Sequence, residues 1–216
     1  AVEWFTLRVM ATTQARSSDG VPGPAQWLRA RLTRGRYTFN HADAVDGLRR
    51  TPLAVSKALR RLIGHGLLVS PRRGFYVIVP GEFDLAGAPP AQWFIHDLMG
   101  YLEQPYYVGL LTAAAQHGAS HQAAQVFQVV TDRPTRPMKA GRIRIEFVMK
   151  SDIEGTPTTE VKTPTGSMSM STPEATALDL VRYFKAAGYL NHVATVLEEL
   201  AEGLDGNELV RAAEAG

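Results

Sequence analysis

Between residues 51 and 66 the apolar positions recur at helical spacing. At about 100° per residue Val55, Leu59 and Leu62 fall on one side, while Leu53, Ser56, Lys57, Arg60 and Gly64 cluster opposite with Arg61 at their edge. Thr51 suits an N-cap, Pro52 suits the first helical position and Gly64-His65-Gly66 a stop, so the pattern predicts an amphipathic helix with one packing face and one open face. Upstream, AQWLRARLTRG places Trp27, Leu28 and Leu32 together on a short helix ending near Gly35. Tyr37-Thr38-Phe39 is β-prone, and Asn40 caps a second helix, HADAVDGL, closed near Gly47. Downstream, Leu67–Val69 and Phe75–Val79 are apolar runs on either side of Ser70-Pro71-Arg72-Arg73-Gly74, which predicts a hairpin with arginines at its tip. Three short helices followed by a basic-tipped hairpin predict a winged helix-turn-helix over residues 21–80.

The pattern then changes. GEFDLAGAPP, residues 81–90, is rich in Gly and Pro and is expected to be a linker. Beyond it AQWFIHDLMGYL and PYYVGLLTAAAQHG are expected as apolar helices, and AAQVFQVV and GRIRIEFVMK as strands. In the second of those strands Ile143, Ile145 and Phe147 alternate with Arg142, Arg144 and Glu146. VKTPTG and SMSMST suggest another hairpin, and EATALDLVRYFKAAG, capped by Thr172 and Pro173, begins a helical end continued by NHVATVLEELAEGL and NELVRAAEA. The fold class expected is α+β: an N-terminal extension over 1–20, a winged helix-turn-helix over 21–80, a linker over 81–90 and a mixed α+β domain over 91–216.

Charge changes the picture more than composition does. The 216 residues carry a formal net charge of only +2. Over residues 21–80, however, eleven Lys and Arg face two Asp, a net of +9, whereas from 81 to 216 ten Lys and Arg face seventeen Asp and Glu, a net of −7. A basic module of this size attracts a polyanion and an acidic remainder discourages the wrong docking pose, which points to double-stranded DNA. On that reading the open helix face supplies Ser56, Lys57, Arg60 and Arg61, the first three directed at base edges. Arg72 and Arg73 act from the wing, and Arg34, Arg36, Arg49 and Arg50 meet backbone phosphates. The same module used only for protein contacts, with its arginines merely solvated, is an open alternative.

Chemistry is harder to find. There are no cysteines, so disulfides and thiolate metal sites are excluded, and no phosphate-binding Gly-rich loop or nucleophile elbow occurs. Asp152 with Glu160-Val161-Lys162 mimics the carboxylates and lysine of metal-dependent nucleases, a rival reading in which the carboxylates hold Mg²⁺; a solvated strand explains the same residues. His117 and His121 have zinc-helix spacing, but Gly118 and Ser120 between them favour a helix end followed by a loop. Trp93, Tyr106 and Tyr107 are stacking residues by type and core residues by spacing. The acidic tail, with Glu198, Glu199, Glu202, Asp205 and Glu208, suits either a partner or solvent. No enzyme, cofactor or metal is expected. The first residues lack a basic stretch followed by an apolar one, and no apolar run reaches the roughly 20 residues of a membrane span, so a cytoplasmic protein is expected.

TPLAVSKALRRLIGHGLLVSPRRGFYVIVP followed by PYYVGLLTAAAQHG, HQAAQVFQVVTDRPTRP and GSMSMSTPEATALDLVRYF resembles the AbiEi family of antitoxins, over most of residues 25–185. The likeness lies in a tyrosine-bearing "YY..L.sAa..hG" segment, a strand, and a "pE.TalDl" segment in that order. The resemblance implies a transcriptional repressor of its own toxin-antitoxin (abortive infection) operon, acting against a nucleotidyltransferase-like toxin that the C-terminal domain neutralises, in many members without a stable complex. A monomer or weak dimer cooperating on operator repeats goes with that role.

Overall fold

The structure, a computed structural model, describes residues 22–119 and 126–215. The described residues divide into two compact units, one running to Tyr101 and including Lys139–Ile143, the other made of the remainder.

In the first unit α1 (Pro24–Leu32) starts on Pro24, whose missing N–H costs nothing at a helix start, and buries Ala25 and Leu28. β1 (Thr38–Asn40) leads into α2 (His41–Leu48), closed at its start by a reciprocal cap: the Asn40 side chain accepts from the Asp43 N–H and the Asp43 carboxylate accepts from the Asn40 N–H, both at 2.9 Å. The helix runs one residue past Gly47, a position where a β-carbon would strike the Trp27 indole. α3 (Pro52–Gly64) begins as expected on Thr51 and Pro52 and buries Val55, Leu59 and Leu62, while Leu53 is 67% exposed. β2 (Leu68–Arg72) and β3 (Phe75–Ile78) form the hairpin, and β1 joins it to make an antiparallel sheet in the order β1-β3-β2. Thr38 pairs with Val77 and Leu68 with Ile78, and the register shifts between Val69 and Arg72. One core unites Leu28, Phe39, Leu48, Val55, Leu59 and Ile78.

Residues 81–90, expected as a linker, belong to this first unit instead. They carry a short 3-10 turn (Gly81–Phe83) and bury Ala88. Aromatic packing holds the stretch: Phe83 and Tyr37 meet Trp93 edge-on at centroid distances of 5.2 and 5.1 Å. A second 3-10 turn (Ala91–Trp93) precedes α4 (Ile95–Leu102), in place of a single apolar helix from residue 91.

Most of the other sheet lies in the remainder. PYYVGLLTAAAQHG is a strand and a helix rather than one helix: β4 (Tyr106–Val108) turns at Gly109 into α5 (Leu110–Gln116). The buried Leu110 adopts a left-handed φ of 54°, which marks the break between the two periodicities. β5 (Val126–Thr131), β6 (Met138–Ala140), β7 (Ile143–Met149), β8 (Thr158–Thr163) and β9 (Gly166–Ser171) complete a six-stranded mixed sheet in the order β6-β7-β5-β4-β9-β8. β5 runs parallel to β7 and antiparallel to β4, β4 runs parallel to β9, and β8 and β9 form the expected hairpin. α6 (Pro173–Arg182) packs against α5, α7 (Tyr189–Ala201) and α8 (Gly206–Ala215), with Leu180, Val193, Val196 and Leu200 in their shared core. The fold is mixed α+β. Among the described residues no helix is long and apolar enough to cross a membrane.

Candidate nucleic-acid interface

The residues expected to meet DNA come from four places in the first unit. Ser56, Lys57, Arg60 and Arg61 are exposed along α3, one to two residues offset from the buried Val55, Leu59 and Leu62. Arg72 and Arg73 are exposed at the hairpin tip. Arg49 and Arg50 are exposed in the α2–α3 connection, where Arg49 takes a left-handed φ of 49°, and Arg34 and Arg36 are exposed after α1. None of these nine cations forms an ion pair with another described residue.

Arg31, half-buried like Arg29, is an exception within the basic stretch. Its guanidinium donates to the Thr38 carbonyl at 2.6 Å and lies over the Trp27 and Phe39 rings at 5.1 and 5.5 Å, so it braces α1 against β1. Burial lowers its pKa, Asp43 opposes that shift, and the nearby positive charges of Arg36 and Arg34 add to it. Charge counting along the sequence groups it with the solvated cations; an arginine flanked by aromatics one turn away and across a strand is the only signal of its packing role.

α3 and the hairpin enclose an open cleft of about 660 Å³. Arg60 and Ser56 line it from the helix, Arg73, Gly74 and Tyr76 from the hairpin, His41 from the start of α2 and Tyr101 from α4. Its walls are tied. The Ser56 hydroxyl donates to the Pro52 carbonyl at 2.9 Å, which leaves it to accept from His41 Nε2, also at 2.9 Å. The His41 N–H donates to the Gly74 carbonyl at 2.9 Å, and the Tyr101 hydroxyl donates to the Arg73 carbonyl at 3.1 Å. Gly74 is required twice over, by its φ of 85° and because a β-carbon would meet the Tyr101 hydroxyl. Burial and the neighbouring Tyr101 raise the pKa of Tyr76, which keeps that phenol a donor. The sequence singles out neither His41 nor Tyr101; both lie outside the helix and hairpin whose pattern is legible.

The second unit holds its polar chemistry inside. Tyr107 on β4 donates to Asp179 Oδ2 on α6 at 2.6 Å, and Lys150 Nζ lies 3.3 Å from Asp179 Oδ1 with both side chains 6% exposed or less. Burial first, then the Asp179 charge, push the Tyr107 hydroxyl well above the tyrosine range. These three residues are 29 to 72 positions apart, so no local spacing announces them. His117 Nε2 lies 2.9 Å from the Ser171 carbonyl, Thr176 and Ser171 share a hydroxyl contact at 2.7 Å, and buried Glu174 accepts from the Asp205 N–H at 3.2 Å. His121 lies outside the described residues. Glu160 and Lys162 are exposed on β8 and Asp152 is exposed before it. Among the described residues no three His, Asp or Glu gather as metal ligands.

Residues 107–216, just over half of the chain, match the family model described as the AbiEi antitoxin C-terminal domain. The chain belongs to the AbiEi antitoxin family. The segments that carry the family resemblance are, in this member, the ones that knit the second unit: Tyr107 and His117 from the first reach Asp179 and the strand entering α6, and Glu174 and Thr176 from the other secure the start of that helix. Comparison with solved structures finds the crystal structure of the RV2827C protein from Mycobacterium tuberculosis, with a TM-score of 0.59 over 94% of this chain and 75% of that one. At 15% identity that likeness is one of fold alone. Comparison of the sequence with curated proteins gives no match.

Proposed function

We propose that this AbiEi antitoxin is a sequence-specific DNA-binding repressor of its own operon, with residues 21–80 as a winged helix-turn-helix and the C-terminal domain neutralising a nucleotidyltransferase-like toxin. The observation that carries the DNA reading is the placement of nine exposed cations on α3, the hairpin tip and two connections, unpaired among the described residues. Unneutralised like charges repel, so a surface that gathers them gains from a polyanion that releases its counterions on binding.

In the docking scheme α3 enters the major groove and presents Ser56 and Lys57 to base edges, with Arg60 and Arg61 beside them. The hairpin tip brings Arg72 and Arg73 to the flanking backbone, and Arg34, Arg36, Arg49 and Arg50 supply affinity without sequence information. Two protomers, monomeric or weakly dimeric in solution, occupy repeated half-sites cooperatively. The antitoxin role rests on family membership, which fits a regulator acting in the cytoplasm without a cofactor; no observation favours the nuclease reading of Asp152, Glu160 and Lys162.

The test is a gel shift on the promoter upstream of the chain's own reading frame. Replacing Lys57 and Arg60 by Glu abolishes the specific complex while the protein stays folded. Binding at the wild-type level by that variant overturns the assignment of α3.

A further inference from the structure

Arg60 and Arg73 are 13 residues apart in sequence, yet both border the same cleft. Among the described residues no carboxylate lines that cleft, so the two arginines that border it meet no counter-charge there. The walls are fixed on both sides of the arginines before any ligand arrives: His41 ties the start of α2 both to the Gly74 carbonyl and to Ser56 on α3, and Tyr101 holds the Arg73 carbonyl. A pre-built cleft bordered by two arginines binds an anion without the entropic cost of assembling its walls.

We propose that this cleft seats a single DNA phosphate clasped by Arg60 and Arg73 together, with Tyr101 as the positioning residue that holds the hairpin arginine against the helix. The proposal rests on the DNA-binding reading and deepens it. Arg60 thereby changes role, from reading a base edge to joining the helix and the wing on one backbone phosphate. The guanidinium fork suits a shared phosphate, since each arginine offers two parallel N–H groups to different phosphate oxygens.

Counterion release distinguishes one phosphate from two. The slope of log affinity against log salt falls by about 0.9 for each phosphate that the protein ceases to neutralise. The full chain is titrated onto a fluorescein-labelled duplex of its own promoter at several salt concentrations, as wild type, Arg60→Gln, Arg73→Gln and the double variant. A shared phosphate gives a slope decrease of about 0.9 in the double variant. A decrease of about 1.8 means two separate phosphates and overturns the seat, and so does an unchanged slope. Tyr101→Phe, which removes only the hydroxyl, weakens duplex binding about fivefold at unchanged slope, as deletion of one hydrogen bond does. Wild-type affinity in that variant removes Tyr101 from the account. Inorganic phosphate is the second probe, because a free phosphate has the same chemistry. If it shifts the Arg60 and Arg73 side-chain resonances while the double variant keeps the wild-type slope, the seat serves a free phosphate and its assignment to DNA falls. Failure of the underlying reading looks different: the folded wild-type chain then does not bind the duplex at all.

Discussion

The first unit keeps the cations of α3 and the hairpin tip outside and unpaired among the described residues, whereas the second buries one cation, Lys150, and pairs it. Lys57, Arg60, Arg61, Arg72 and Arg73 are exposed and form no ion pair among the described residues. Lys150 is 6% exposed and lies against Asp179, whose other oxygen accepts from Tyr107. The difference separates two uses of charge. A buried charge needs its partner to exist at all, so it serves the architecture and ties α6 to β4 and the end of β7. An exposed, unneutralised charge contributes nothing of that kind and is free to meet something outside.

The largest effect that separates the two uses is on stability. Asp179→Ala leaves Lys150 buried without its partner and costs about 3–5 kcal/mol in urea unfolding, while Arg60→Ala and Arg61→Ala each stay within about 0.5 kcal/mol. Replacing the pair with apolar residues, Asp179→Leu with Lys150→Met, recovers most of that stability, since a buried ion pair is often no better than well-packed hydrophobes. Equal costs for Asp179→Ala and Arg60→Ala would erase the contrast. Next comes Gly74→Ala, which forces a side chain into a left-handed turn beside Tyr101 and lowers stability by about 1–2 kcal/mol, measured as a fall in melting temperature.

The pH dependence is smaller, and Tyr107 contributes to it from the second unit. Tyr107 has its pKa raised by burial and by Asp179, so the folded state keeps a proton that the unfolded chain releases above about pH 10. Its stabilisation is complete below that value and falls as pH climbs past it. Tyr107→Phe lowers stability at neutral pH and flattens that alkaline decline; an unchanged decline means another group sets it. The smallest effect is kinetic: Arg34→Gln with Arg36→Gln leaves unfolding unaltered but slows association with duplex DNA at low salt, because electrostatic steering weakens.

The two units are unequally legible in the sequence. Helix periodicity, Thr51-Pro52 and the Asn40 cap specify α2 and α3 because each signal lies within one turn of the element it controls. The β8–β9 hairpin is legible for the same reason. Tyr106-Tyr107 reads as helix in the sequence because a three-residue strand is too short to display its period of two before Leu110 starts a helix. The linker expectation fails because Gly and Pro mark turns as readily as boundaries, and the ring contact that holds Phe83 comes from Trp93, outside the stretch. In the candidate interface, the cations of α3 and the hairpin tip can be named from one helix and one turn. His41 and Tyr101 cannot, since only the tertiary fold brings them to the cleft.

The central claim is that the exposed cations of α3 exist to bind DNA and not to hold the fold. It is tested most directly by measuring Lys57→Glu with Arg60→Glu twice, by promoter-DNA gel shift and by urea unfolding. The account predicts disappearance of the specific complex with stability within about 0.5 kcal/mol per site of the wild type. A variant that still binds the promoter at wild-type affinity, or one that fails to fold, contradicts it.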